Sequence, residues 1–164
     1  MDLLKKINDK LIVIFALALA VFQIYTAAVQ FFPAMTQRSI HLGFGLAMIF
    51  LMYSKKKEGK GWITTAIYII NICLAILALI ICFDVALNWM DMATGKRLVF
   101  PSTSDRIFGT MLIIMVLLAT KYRAGWAMPI IGLVFVLYAR FGNYIPIESL
   151  KHKGVAFTKI ISMA

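Results

Sequence analysis

Apolar residues along this chain fall into five long blocks separated by short polar or basic segments. Leu11 to Phe32 is the first, and Gln23 and Gln30 are among the few polar positions in it. At about 1.5 Å per residue, a run of this length predicts a helix that crosses the roughly 30 Å hydrocarbon core of a bilayer. The second block, Ser39 to Tyr53, is short, so its helix is expected to draw in Ala34–Gln37 or to tilt little. Trp62 to Phe83, Asp105 to Thr120 and Trp126 to Phe141 are the third, fourth and fifth. Between the third and fourth, residues 84–104 carry Asp84, Asp91, Lys96, Arg97 and Pro101 and read as a longer polar loop. Residues 1–10, MDLLKKINDK, read as a polar basic cap. Beyond the small-residue stretch YTAA, where a signal peptidase could cut, the first apolar run continues to Phe32. That is long for a signal-peptide core and predicts an uncleaved first span.

The expected fold is therefore an all-α integral membrane bundle of about five transmembrane helices. Residues 1–142 form the helical domain, with spans at about 11–32, 39–53, 62–83, 105–120 and 126–141. Residues 143–164 form a tail. Phe157, Ile160 and Ile161 share one helical face of the tail and Lys159 lies off it, the pattern of an interfacial amphipathic helix or a linker. The short loops leave no room for a sizeable soluble domain. No repeat divides the spans into matching halves, and no span carries the paired Gly/Pro breaks that expose backbone to a solute.

Composition agrees with a membrane setting: 62% of the residues are hydrophobic and 15% charged, against roughly half apolar in a soluble domain. The formal net charge of +10 would suggest nucleic acid on a soluble protein. Here the lysines cluster in the short connections, so orientation and anionic headgroups explain them and nucleic-acid binding is not expected. Lys5, Lys6, Lys10, Lys55, Lys56, Lys57, Lys60, Lys121 and Arg123 occupy alternate connections and share one side. Arg38, Lys96, Arg97 and Arg106 fall on the other. The positive-inside rule then places the N-terminus in the cytoplasm. The tail's Lys151, Lys153 and Lys159 run against that rule, as residues on a membrane surface or in a linker would.

The stretch ATKYRAGWAMPIIGLVFVLYARFG, residues 119–142, reads as a hairpin. Lys121 and Arg123 form its cytoplasmic turn, Gly125 lets the chain reverse, and Trp126 anchors at headgroup depth. Pro129 falls in the first turn of the next helix, where its missing N–H does little harm. Tyr138 and Arg140 mark the opposite interface, with Arg140 placed to snorkel.

Chemistry-bearing residues are sparse. Cys73 and Cys82 lie nine apart in one predicted helix, hence on opposite faces and about 13.5 Å apart along the axis, too far to bridge. His41 follows Arg38 by three residues at the mouth of the second span, and the only other histidine is His152 in the tail. The pair suits lipid headgroups or another subunit better than a haem. Asn71 in the third span, and Gln23 with Gln30 seven apart in the first, are expected to hydrogen-bond across helices. All seven acidic residues, Asp2, Asp9, Glu58, Asp84, Asp91, Asp105 and Glu148, are placed at span ends, loops or termini. A pump or proton-coupled carrier keeps an ionisable group inside the bilayer. No phosphate cradle, nucleophile–base pair or metal cluster is evident, so no catalytic residue and no cofactor is expected.

Four segments, IHLGFGLAMIFLMY (40–53), FPSTSDRIFG (100–109), the 119–142 block and HKGVAFTKII (152–161), occur in an order and spacing with a familiar look. FQIYTAAVQFFPAMTQRSIHLGF in the first span and turn fits the same pattern. Together they resemble the small-subunit-like (Q-type) membrane region of permeases in the TAXI group of TRAP, or tripartite ATP-independent periplasmic, transporters. The resemblance covers about residues 11–161. It implies a non-catalytic scaffold subunit of a sodium-coupled uptake system for solutes, carboxylates among them, in a bacterial inner membrane. Its implied partners are a large permease domain or subunit working by an elevator-type motion, a periplasmic TAXI-type solute-binding protein, and membrane lipids. By their own placement at span ends and interfaces, Arg38, His41, Lys121, Arg123, Trp126 and Arg140 are the candidate subunit- or lipid-contact residues. The competing expectation is an anchoring or assembly subunit of an unrelated membrane complex.

Overall fold

The computed structural model describes residues 2–56, 61–94, 102–144 and 153–155. Five helices account for nearly all of them: α1 (Asp2–Ala28), α2 (Ala34–Lys56), α3 (Trp62–Ala93), α4 (Thr103–Ala124) and α5 (Ala127–Phe141), with a 3₁₀ turn at Gly142–Tyr144. The protein is an all-α membrane bundle. Four of the helices, all but α2, are long and apolar enough to cross a membrane. The chain divides into two compact units, Met1–Trp89 and Met90–Ala164.

In the last hairpin α4 runs to Ala124, past the expected Thr120, so Lys121 and Arg123 lie in its last turn and not in the connecting turn. Elsewhere three boundaries differ from the expected ones by four residues or more. Helix α1 begins at Asp2, so the basic cap is its first turns rather than a separate segment. Asn8 shows why: it is buried, and its Nδ2 donates to Leu51 O at 3.0 Å. The helix also stops at Ala28, short of Phe32. Pro33 disfavours helical backbone at the residue before it, and its carbonyl accepts from Gln37 N at 3.1 Å as α2 starts. Phe32 turns back instead onto Phe22 and Tyr25, at ring separations of 6.0 and 6.4 Å. Gln30 thus lies in the turn, where its Oε1 accepts from Tyr25 Oη, and does not share a helical face with Gln23.

The third difference is larger. Helix α3 runs past Phe83 to Ala93, through residues expected in a loop. No Gly or Pro interrupts residues 62–94, and Asn88 Nδ2 donates to both Asp84 O and Asp84 Oδ1 one turn back. The charges mark a change of surroundings, not the end of the helix.

In the first unit α2 packs against both neighbours. Along α1 the contacts run from Asn8 with Leu51, and the Asp9–Lys55 ion pair at 3.0 Å, through the edge-to-face rings of Phe15 and Phe44, to Gln23 with His41. The order is antiparallel. Along α3, Thr36 Oγ1 donates to Ala86 O at 3.2 Å, and Gly43 lies against Ala78 and Cys82. Buried Asn71, Ala75, Ala78, Cys82 and Ala86 recur at helical spacing on α3, as do Gly43, Ala47, Phe50 and Ser54 on α2. Small residues let the two backbones approach, the usual basis of helix association in lipid. Outward faces are apolar, including Val13, Leu17, Val21 and Ile24 on α1 and Ile69, Ile70, Ile76 and Ile80 on α3.

The second unit is the α4–α5 hairpin. Ser102 caps α4: its Oγ accepts from Asp105 N at 3.1 Å and Asp105 Oδ2 accepts from Ser102 N at 2.8 Å. This box starts the helix at Thr103 and satisfies two terminal donors. At the far end Gly125 takes φ 76°, and its N–H donates to Lys121 O. Trp126 precedes α5, and Ile130 N closes the first turn onto Trp126 O, so Pro129 sits where a helical N–H has no partner to lose. Leu112, Met115 and Ala119 are the buried residues of α4. Helix α5 has no fully buried residue: Pro129, Gly132, Val136 and Ala139 line a half-buried face, with Gly132 against Leu117 of α4, and most of the rest of its surface is exposed and apolar, as a lipid-embedded helix can be. Residues 153–155 return to its end, where Val155 N donates to Ala139 O at 2.8 Å. The rest of the tail, with Phe157, Ile160, Ile161 and Lys159, lies outside the described residues, as do Lys96, Arg97 and Pro101.

Candidate functional site: a polar cluster between the first two helices

The densest side-chain hydrogen bonding joins the C-terminal turns of α1 to the N-terminal turns of α2. Thr26, almost fully buried, donates through Oγ1 to Gln23 O at 3.0 Å. Gln37 Nε2 donates to Thr26 Oγ1 and to Gln23 Oε1, each at 3.4 Å. The second of these bonds orients the Gln23 amide, whose nitrogen then faces His41 Nδ1 at 2.7 Å. The ring is exposed, and Arg38, three residues earlier on α2, is exposed beside it.

The other predicted residues fall in the second unit. Lys121 Nζ lies 3.9 Å from the centre of the Trp126 ring, a cation–π contact that ties the end of α4 to the start of α5. Arg123, in the last turn of α4, is exposed, and its charge complements the helix dipole. Arg140, in the last turn of α5, has its guanidinium 5.6 Å from the centre of the neighbouring Phe141 ring. Arg38 and His41 stand three residues apart on α2, and the α4–α5 turn brings Lys121 onto Trp126. Each unit holds its own group.

Asn71 does not bond across helices. Its Nδ2 donates to Ile67 O of its own helix at 2.8 Å, and its Oδ1 is buried without a protein donor. Asn8 Oδ1 is buried in the same condition. Rotating either amide would set its oxygen against a carbonyl oxygen, so the arrangement is fixed by the nitrogen's partner. Burying an acceptor this way costs about 1–3 kcal/mol unless a small donor such as water reaches it. Gln37, Thr26 and Thr36 escape sequence reasoning, because bonding between helices leaves no periodic trace in one sequence. Gln23 was visible as a polar position, but its partner was not.

Cys73 is exposed and Cys82 buried on opposite faces of α3. Among the described residues, no three His, Cys, Asp or Glu side chains come close enough together to hold a metal ion. The arrangement is that of a multi-pass membrane bundle with polar pairing between helices and basic groups at helix ends. Compared with known proteins, the chain matches no family model, no curated protein and no solved structure.

Proposed function

We propose that this chain is a non-catalytic scaffold subunit of a sodium-coupled TRAP-type solute uptake transporter. It sits in a bacterial inner membrane with its N-terminus in the cytoplasm. A large elevator-type permease domain would move against it, and a periplasmic TAXI-type binding protein would deliver the solute, with carboxylates the first class to try. The resemblance of residues 11–161 to the small region of such permeases suggests the family.

The observation that carries the scaffold reading is how the first unit uses its polar groups. Gln23, Thr26, Thr36 and Gln37 bond to neighbouring helices or to one another, which stiffens the packing of α1, α2 and α3. Polar groups committed to interhelical bonds are unavailable to a passing solute. Among the described residues the five helices are unbroken, without the unwound backbone that lines transport sites.

Affinity purification of the tagged chain from its native membranes tests this. The expected result is stoichiometric recovery of a large multi-span permease chain. Recovery instead with a respiratory or secretion complex would replace the transporter reading with an anchoring role.

A further inference from the structure

We infer that Lys153–Val155 is a strap that caps α5 from a distance and ties the tail to the end of that helix; the inference stands apart from the scaffold reading. An α-helix leaves its last four carbonyls without partners inside the helix, and in α5 these belong to Tyr138, Ala139, Arg140 and Phe141. The usual remedy is local. A glycine just past the last turn takes left-handed backbone, and its N–H returns to the helix. Gly125 does this for α4, with φ 76° and a bond to Lys121 O. A glycine stands in the same place at the end of α5, but Gly142 keeps right-handed backbone, with φ −58° and ψ −19°. The chain runs on there into the 3₁₀ turn Gly142–Tyr144.

The cap comes from further along the chain. Val155 N donates to Ala139 O at 2.8 Å. Gly154 supplies the left-handed backbone that Gly142 does not, with φ 64°. Two separate constraints hold position 154 to glycine. A side chain is strained at that φ, and a Cβ built there would lie 2.8 Å from Arg140 O and 3.3 Å from Asn143 Oδ1. The first of those atoms belongs to the backbone and cannot swing aside. Gly154 and Val155 are half-buried against this end, while Lys153 is exposed.

The contact runs from main chain to main chain, so it does not depend on the side chain at position 155. It also gives α5 a second hold. The helix has no fully buried residue and meets α4 through one half-buried face. The strap fastens its far end. The point from which the chain leaves Val155 is therefore set by α5, and a pull on the tail is a pull on that helix.

The test uses the full chain in lipid nanodiscs. In the unsubstituted chain the Val155 amide should exchange its hydrogen about tenfold more slowly than an unstructured amide, or slower still, the protection of one net hydrogen bond. A nitroxide on Lys153→Cys, with Cys73 and Cys82 replaced, should be restricted. Gly154→Ala strains the strap and Val155→Pro removes its donor, so each should free the label, and Gly154→Ala should also abolish the protection at Val155. Val155→Ala keeps the N–H and should leave the label restricted. Exchange of the Val155 amide at the unstructured rate in the unsubstituted chain overturns the proposal, and that measurement needs no variant to fold. So does a label whose mobility is the same in every form, or one freed as much by Val155→Ala as by Val155→Pro.

Discussion

Gly43 sets how closely α2 approaches α3. A Cβ built there would lie 2.8 Å from Cys82 Cβ, an atom on the helix stem that cannot swing away. Gly45, two residues on, would meet nothing within 4 Å. Gly43→Ala is therefore expected to destabilise the first unit by about 1–3 kcal/mol, the range for overpacking, and Gly45→Ala to leave it unchanged or slightly firmer through better helix propensity. Equilibrium unfolding in mixed micelles with rising dodecyl sulfate measures both. Equal stability of the two variants would mean that the α2–α3 seam is not packed as described. At this scale much was hidden from the sequence. The hairpin glycine at 125 and the placement of Pro129 follow from local backbone rules and could be read directly. The partners of Asn71, Gln23 and Gln37 could not, because which side chain an amide meets depends on how helices cross.

At the scale of elements, hydropathy located all five helices and misjudged where three of them, α1, α3 and α4, end. Apolar runs report contact with lipid, whereas a helix continues for as long as its residues tolerate helical backbone. Residues 2–10 and 84–93 are helical yet polar enough to leave the hydrocarbon. The reverse held at Val29, Phe31 and Phe32, which are apolar but lie in the turn, because Pro33 follows. Helix α2 is recognisable by its apolar second half, and its polar first half, Thr36 to His41, makes sense only once α1 and α3 stand beside it. Nitroxide labels placed singly from Asp84 to Met92 should show mobility with the helical period, lowest at the buried Ala86 and higher at the exposed Leu87 and Met90. Uniformly high mobility across these positions would restore the loop expected from their charges.

For the whole molecule, the lysine distribution predicts orientation. The antiparallel α1–α2 pair puts Asp9 beside Lys55, so the basic residues at the start of α1 and the end of α2 share one end of the unit. We expect that end to be cytoplasmic. In a background without Cys73 and Cys82, Ser102→Cys should react with an impermeant maleimide in intact cells, and Lys57→Cys should react only after the membrane is opened. Labelling of Lys57→Cys from outside would invert the arrangement.

Transport tests the scaffold claim most directly. Proteoliposomes under an imposed sodium gradient are loaded with this chain alone, with a large permease domain and its cognate solute-binding protein, or with all three. Candidate carboxylate solutes are then offered. The account predicts no gradient-dependent uptake by the chain alone, uptake by the three together, and a reduced or abolished rate when this chain is left out. Robust uptake by the chain alone, or an undiminished rate without it, would contradict a scaffold role.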